Sequence, residues 1–94
     1  MTLTLELTES SGATPGTATQ HVFGEGGGTI GRANTNNWVL AHNKVSGKHA
    51  AISFRNGVFY IEDISLNGVC VNAPDNRLVR NRPYALKSGD RLFI

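Results

Sequence analysis

The sequence predicts an all-β domain of the β-sandwich type. Short runs of apolar or alternating residues follow one another along the 94-residue chain, and turn-forming residues separate them. No window shows sustained helical periodicity. About ten to eleven short strands joined by frequent turns are typical of a β-sandwich or barrel. A chain of this length is expected to form one domain, 1–94, with one modest core.

The first half of the chain carries four predicted strands. Leu3, Leu5 and Leu7 alternate with polar residues, which indicates a half-buried strand. A turn-rich segment at 10–16 follows it. The next short strands are expected at 21–23, 29–31 and 38–40, the last of them buried, with a glycine turn at 25–28 and irregular polar chain at 34–37.

The clearest local signal is Asn56-Gly57, which lies between an alternating run at 49–55 and a second run at 58–62. Asn-Gly supplies the positive φ values that a two-residue type I′ turn requires, so these runs predict a β-hairpin. Alternate side chains of a strand share one face. The apolar faces are expected to hold Ala50, Ile52 and Phe54 on the first arm and Phe59 and Ile61 on the second.

The last part of the chain carries four more predicted strands, at 69–71, 77–79, 84–86 and 91–94. Cys70 is expected to face away from Val69 and Val71, as a small apolar side chain rather than a reactive thiol. The basic side chains of this part are interpreted as a solvated face, with contact to acidic partners or phosphopeptide flanks as the alternative. They are Arg77, Arg80, Arg82, Lys87 and Arg91.

Composition and charge exclude several classes of protein. An apolar fraction of 39% with 11 glycines indicates a globular chain rather than a disordered one. The net charge of +2 is too small to predict nucleic-acid binding. No segment has the length of a transmembrane helix and the alternating N-terminus is not a secretory signal, so membrane insertion is not expected. The single cysteine excludes an internal disulfide framework and fits a reducing compartment, so we expect a cytoplasmic protein.

Three polar motifs stand at the ends of predicted strands: Gly31-Arg32, Ser46-Gly-Lys-His49 and Ser65-Leu-Asn67-Gly68. Their side chains are mainly hydrogen-bond donors: a guanidinium, an ammonium, hydroxyls and an amide. Donors that converge from separate loops suit the binding of an anion better than a bond-making reaction. The motifs therefore predict an anion site at one end of the sandwich.

In order and spacing these motifs, followed by Val71-Asn72, resemble the forkhead-associated (FHA) domain. The resemblance implies an FHA/SMAD-like β-sandwich with its core motif region at 29–72. It implies a loop face that binds a phosphothreonine-containing segment of a partner protein, with no cofactor, no metal and no catalytic residue. The residues implied to contact the phosphopeptide are Arg32, Ser46, Gly47, Lys48, Leu66 and Asn67, and those implied to hold the loops are Gly31, His49, Asp63 and Gly68.

Each of these residues also has an ordinary structural interpretation. Arg32 alone would be a surface arginine, Ser46 a turn serine, and Asn67 a turn asparagine that tolerates positive φ. Lys48 is as readily a solvated lysine as a phosphate contact. The order and spacing of the three motifs favour the binding interpretation for Arg32 and Ser46, and for Asn67 both roles are compatible.

Two catalytic or cofactor patterns are rejected. Ser46, His49 and Asp63 have the residue types of a catalytic triad, but no nucleophile elbow surrounds them. The glycine pattern at 26–31 matches the dinucleotide-binding fingerprint in its letters, but no helix is predicted after it. No histidine pair has metal-ligand spacing. We therefore expect a binding module and not an enzyme.

The sequence departs from the family pattern in the second and third motifs. Gly47 stands where arginine or asparagine is common, so one phosphate donor is missing. Val69 follows Asn67-Gly68 where threonine is usual, and Leu66 stands where threonine is frequent. These departures keep an alternative open: a degenerate FHA domain that acts as a phospho-independent interaction or assembly module.

The segment 37–40, the long second loop and the start at Met1 resemble the FHA subgroup attached to bacterial type VI secretion. That resemblance implies an adaptor or scaffold in a threonine-kinase pathway that regulates secretion. FHA domains usually carry one more strand after the position of Ile94, pairing near the first strand, so we expect an N-terminal fragment of a longer protein. The edge left by the truncated last strand is then open, or a second copy of the chain pairs with it.

Overall fold

The computed structural model describes residues 1–8 and 20–93. Its strands are β1 (Leu3–Leu7), β2 (Gln20–Phe23), β3 (Gly28–Gly31), β4 (Trp38–Val39), β5 (Ala50–Arg55), β6 (Val58–Asp63), β7 (Cys70–Val71), β8 (Tyr84–Leu86) and β9 (Arg91–Phe93). They form a four-stranded sheet of order β2-β1-β9-β7 and a five-stranded sheet of order β4-β3-β5-β6-β8. The predicted all-β sandwich is confirmed. None of the described segments forms a helix long and apolar enough to cross a membrane.

The core lies between the two sheets and is built by alternation along the strands. Leu3, Leu5 and Leu7 of β1 are buried, whereas Glu6 on the opposite face is exposed. Full burial of one such side chain contributes about 1.5–3 kcal/mol. The other buried apolar side chains come from both sheets and their loops: Phe23, Ile30, Trp38, Leu40, Val45, Ala50, Ile52, Phe59, Ile61, Val69, Val71, Leu78, Leu86 and Leu92.

β5 and β6 form the hairpin that the sequence predicts. φ is 51° at Asn56 and 81° at Gly57, as the type I′ turn requires. The two arms pair from this turn to Ala50 opposite Asp63 at the far end. The predicted inward faces are confirmed: Ala50, Ile52, Phe59 and Ile61 are buried, and Phe54 is half-buried with its ring 4.6 Å from that of Phe59. The chain therefore leaves both arms side by side at the end remote from the turn.

Three loops gather at that remote end, and we call them the apical loops: the first is 32–37, the second 41–49 and the third 64–69. β3 runs antiparallel to β5 with Ile30 opposite Ala50, so β3 ends where β5 begins. β6 ends at Asp63 beside the same place. The chain that follows β3, precedes β5 and follows β6 therefore forms one surface, and this surface carries the three polar motifs.

The strand predicted at 77–79 is wrong. Within the described residues, Arg77 makes only an isolated bridge and Leu78 is buried without belonging to a strand. Asn72 and Asn81 have φ values of 63° and 65°, which turn the chain before and after this segment. After the single bridge the chain turns again, with the Arg82 N–H donating to Val79 O (3.2 Å), so pairing with β7 ends there and the described ranges hold nine strands, fewer than the sequence predicts.

β4 is only partly as predicted. Trp38 and Leu40 are buried, but Val39 between them is 37% exposed. The reason is the two-residue period of a strand, which directs neighbouring side chains to opposite faces. A single strand at the edge of its sheet therefore buries alternate residues and not the whole of 38–40.

The last described strand lies inside its sheet. β9 pairs in parallel with β1 and antiparallel with β7, so it has a neighbour on each side, and the open edge expected beside the last strand is not found within the described residues. The strand predicted at 91–94 is thus confirmed as far as Phe93. Ile94 and the loop predicted at 10–16 lie outside the described residues.

Candidate functional site

The first apical loop is tied to the second by backbone hydrogen bonds. The Arg32 N–H donates to Ser46 O (3.0 Å), and the Ala33 N–H donates to Gly47 O (3.2 Å). Gly31 lies beneath this contact, and a Cβ there would overlap with Gly47 O. Only glycine therefore lets the two loops approach this closely. The backbone holds Arg32 beside the start of the Ser46 motif.

Asn36 bridges the same two loops, a role that the sequence did not indicate. Its side-chain amide donates to Ala33 O and to Gly47 O, both at 2.7 Å. Asn36 is 7% exposed, and its Oδ1 has no hydrogen-bond partner among the described residues. An unpaired buried oxygen is unfavourable, so the two donated bonds have to outweigh it. The segment 34–37 was predicted only as irregular polar chain.

His49 is fully buried below the loops and connects the second loop with the third. Its Nδ1 accepts from the Ser46 N–H (3.0 Å), so its Nε2 carries the hydrogen and donates to Gly68 O (3.0 Å). Its backbone O accepts from the Ile64 N–H (3.1 Å). Burial lowers the pKa of His49, against smaller opposing effects from the Gly68 carbonyl and the Asp63 charge. The contacts of this neutral imidazole are those of a brace between loops.

Asp63, at the end of β6, shapes the third loop. Its Oδ1 accepts from the Ser65 N–H (2.8 Å) and from the Ser65 hydroxyl. Ser65 Oγ in turn accepts from the Gly68 N–H (2.7 Å). Gly68 has a φ of 95°, a conformation that side chains disfavour. Because Asp63 and Ser65 are buried, their hydrogen bonds fix the shape of the loop and do not face a ligand.

The Ser46 hydroxyl and the Asn67 amide join the second and third loops at the surface. The Leu66 N–H donates to Ser46 Oγ (3.1 Å), and Asn67 Nδ2 donates to Lys44 O (2.6 Å). Ser46 therefore retains its own hydroxyl hydrogen, and Asn67 retains its Oδ1, for a ligand. The Leu66 side chain between them is 84% exposed.

The apical loops carry cations and no carboxylate. Arg32, Lys44 and Lys48 are exposed, and none of them forms an ion pair with another described residue. Among all the described residues, the ion pair observed joins the Met1 ammonium to Glu25, outside the apical loops. Uncompensated cations beside hydroxyl and amide groups make this surface favourable for an anion.

Gly47 faces open space on this surface. A Cβ at Gly47 would meet no atom within 4 Å, and its φ is not in the left-handed region. The backbone of the second loop therefore does not require glycine here. The missing donor at this position is a property of the side chain alone and not of the fold.

Neither the catalytic triad nor the dinucleotide-binding fingerprint has the contacts that it would need. Both ring nitrogens of His49 bond to backbone groups, and neither bonds to the Ser46 hydroxyl or the Asp63 carboxylate. The glycine pattern at 26–31 occupies a turn and β3, and 32–37 continues as turns and bends instead of a helix. In the described part of the chain, no group of three or more histidine, cysteine or acidic residues could hold a metal ion.

Two arginines that the sequence assigned to a solvated face lie against the third loop. Arg80 Nε donates to Ser65 O (2.9 Å). The Arg77 guanidinium lies over Gly68, where a Cβ would be 2.8 Å from its central carbon. These contacts join residues 15 and 9 positions apart in the sequence, so no local pattern could have revealed them.

Comparison with known proteins places this site in context. A family model of the FHA domain matches residues 28–94. The N-terminal FHA domain of S. cerevisiae Rad53p, solved in complex with a phosphothreonine peptide, is 28% identical, with a TM-score of 0.64, 70% of this chain covered and 53% of that chain. This chain thus spans about half the length of that relative. The comparison with curated protein sequences found no significant match.

Two further solved structures are similar. The FHA domain of MEK1, solved with a phosphothreonine peptide of HOP1, is 30% identical, with a TM-score of 0.58 and 68% of each chain covered. An engineered FHA domain solved with a Myc-pTBD peptide is 22% identical, with a TM-score of 0.70, 97% of this chain covered and 75% of that chain. At that identity the engineered domain shows similarity of fold alone.

Proposed function

Because the chain belongs to the FHA domain family, we propose that its apical loops bind a phosphothreonine-containing segment of a partner protein. The observation that carries this proposal is a set of exposed cations and a hydroxyl on the first two loops, beside the Asn67 amide of the third, with no carboxylate on any of the three loops. A buried, neutral His49 braces two of these loops from below. Two related FHA domains were solved with phosphothreonine peptides, which supports the same class of ligand here.

Each polar group of this surface matches a feature of the ligand. A phosphothreonine carries nearly two negative charges and three strong acceptor oxygens. Arg32 offers a planar fork of donors, the Ser46 hydroxyl offers one hydrogen, and Lys44 and Lys48 add positive charge from the second loop. Asn67 Oδ1 accepts an N–H of the ligand backbone. Together these groups satisfy both the phosphate and the extended chain that carries it.

We further propose that the protein is a cytoplasmic adaptor or scaffold in a threonine-kinase pathway that regulates bacterial type VI secretion. The resemblance of segment 37–40 to that FHA subgroup supports this role. The role requires recognition and no bond-making step, so we expect no enzymatic activity. Turnover of generic ester or phosphate substrates by the purified protein, above the rate in buffer, would contradict this part of the proposal.

Two features favour a second candidate, a phospho-independent interaction or assembly module. Leu66 is 84% exposed at the surface of the third loop, so covering this apolar side chain with a partner would be favourable with or without a phosphate. Gly47 contributes no side-chain donor where the family commonly has one. In this alternative the same face binds its partner without a phosphate, and Arg32 contributes little.

A degenerate phosphothreonine peptide library separates the two candidates. Capture by the wild-type protein is compared with capture from unphosphorylated and phosphoserine libraries, and with capture by Arg32→Ala. Arg55→Ala is the matched control, because Arg55 lies at the opposite end of the sandwich with its guanidinium 5.2 Å from the Tyr60 ring centre. Circular dichroism and thermal melting verify that each variant is folded.

The expected result is phosphothreonine-selective capture that Arg32→Ala loses and Arg55→Ala retains. Loss of a charge-assisted contact costs about 1.5–3 kcal/mol, which corresponds to a Kd about 10- to 150-fold weaker. Equal capture of phosphorylated and unphosphorylated peptides would favour the second candidate. Phosphate-selective capture that is unchanged in Arg32→Ala would refute the assignment of the phosphate to Arg32.

A further inference from the structure

A groove lies beside the third apical loop, in the chain between β7 and β8. Its volume is about 280 Å³, which suits one side chain rather than a drug-sized molecule. Arg77 and Arg82 line it together with Leu78, Pro83 and Tyr84. No carboxylate lines the groove. The groove is therefore a basic cleft with an apolar and aromatic wall.

Arg77 connects this groove to the apical loops. Its guanidinium lies against Gly68, where a Cβ would be 2.8 Å from Cζ and Nε and 2.9 Å from Nη2. Gly68 directly follows Asn67, whose amide we assign to the ligand backbone. A ligand that lies over the third loop therefore comes within reach of Arg77, and through Arg77 of the groove.

The groove has the donors of an anion site. Arg77 and Arg82 are exposed, and neither forms an ion pair with a described residue, the exposed Asp75 included. The Tyr84 hydroxyl accepts one long hydrogen bond from Asn76 Nδ2 (3.4 Å) and keeps its own hydrogen for another partner. Arg77 and Arg82 both line the groove and no carboxylate offsets their charge, so its positive potential favours a bound anion.

We propose that this groove is a second anion subsite, which receives an acidic or phosphorylated side chain of the same segment whose phosphothreonine the apical loops hold. The subsite rests on the proposed function, because the phosphothreonine positions the ligand over the third loop. Carboxylate and phosphate share the paired acceptor oxygens that a guanidinium fork recognises. The domain then selects partners by the charge pattern around the phosphothreonine and not by the phosphothreonine alone.

Fluorescence anisotropy with a scanned peptide series tests the subsite. The parent peptide has one phosphothreonine and uncharged flanks. A glutamate is moved through each flanking position in turn, and a second series carries a phosphoserine at each of the same positions. Arg77→Gln and Arg82→Gln each remove one cation of the groove, whereas Arg55→Gln removes the same charge at the opposite end of the sandwich. Each variant is compared with its own affinity for the parent peptide.

We expect glutamate at one position, or at two close positions, to tighten binding roughly two- to fivefold, the range for an exposed ion pair. Phosphoserine should tighten binding further because it carries more charge. Both gains should be lost in Arg77→Gln and Arg82→Gln, be retained in Arg55→Gln, and shrink at high salt. Tighter binding with phosphoserine but not with glutamate would assign the subsite to a second phosphate. Tighter binding with each of the two would assign it to either anion.

Three results would overturn the subsite. The first is equal affinity for the parent and every glutamate or phosphoserine peptide, with binding still dependent on Arg32, which leaves phosphothreonine recognition intact. The second is a gain that persists in both groove variants. The third is an absence of phosphate dependence for the parent peptide, which refutes the proposed function and the subsite with it. If Arg77→Gln also weakens binding of the parent peptide through its contact with Gly68, the test rests on Arg82→Gln. The subsite then stands only if Arg82→Gln loses the affinity that glutamate or phosphoserine adds.

Discussion

Gly47 is the position where one substitution should strengthen the phosphate site. A Cβ there would meet no atom within 4 Å, and φ is not in the left-handed region, so a side chain enters without strain. The residue lies between Ser46 and Lys48 on the exposed side of the second loop. Its neighbour Ser46 accepts the Arg32 N–H, so an arginine at position 47 would stand beside Arg32.

The expected gain follows from two opposing effects. A charge-assisted hydrogen bond contributes about 1.5–3 kcal/mol, and ordering an arginine side chain costs up to about 2 kcal/mol. The net gain for Gly47→Arg is therefore about 1 kcal/mol, or about fivefold in Kd. The free energy of unfolding should change by less than about 0.5 kcal/mol, because the position is exposed and its new Cβ displaces nothing.

Calorimetric titration of the best library peptide measures Kd, and urea unfolding measures stability. Gly47→Ala separates the loss of glycine flexibility from the gain of a guanidinium. Gly47→Glu should weaken phosphopeptide binding, because it places a negative charge beside the phosphate. A folded Gly47→Arg that binds no better than wild type, together with a Gly47→Glu that binds as well, would refute the placement of the phosphate beside the second loop.

Two further predictions concern His49. His49→Ala should lower the free energy of unfolding, measured by urea titration, by about 3–5 kcal/mol, because it leaves the Ser46 N–H and Gly68 O unpaired and opens a cavity. A loss of stability no larger than that of His42→Ala would contradict the bracing role. The free energy of unfolding should also fall as the pH drops below about 6.5, by up to about 1.4 kcal/mol per pH unit. The reason is that burial holds the pKa of His49 below its value in the unfolded chain, so the unfolded state takes up the proton first. Burial lowers the pKa of His21 in the same direction, so His49→Gln should flatten the pH dependence without abolishing it, and a curve that is unchanged in this variant would assign the effect to other groups.

Features that a few adjacent residues determine could be predicted from the sequence. Asn56-Gly57 specifies the β5–β6 hairpin because its backbone preference acts locally. The alternation of Leu3, Leu5 and Leu7 indicates β1 because one face of the strand has to pack against the core. The spacing of the three polar motifs placed them in loops, and those loops do meet at one end of the sandwich. The FHA family assignment is confirmed by the match over 28–94.

Features that depend on distant contacts could not be predicted. Leu78 and Val79 predicted a strand at 77–79, but the chain instead buries Leu78 between two turns. Arg77 lies over Gly68 only because the chain returns to the third loop after β7. Asn36 looks in sequence like the asparagines around it, and only its burial between two loops distinguishes it. The ligand contacts assigned to individual side chains stay predictions until binding is measured.

The groups that hold the apical loops are not the groups that those loops present. Backbone hydrogen bonds, Asn36 and the buried His49 maintain the loop shapes, whereas the Arg32 and Leu66 side chains are exposed and the Cα of Gly47 faces open space. Under the proposed function, substitutions at these outer positions should change binding while the loop framework stays intact. The proposed binding surface can therefore be altered by mutation separately from the groups that hold the loops.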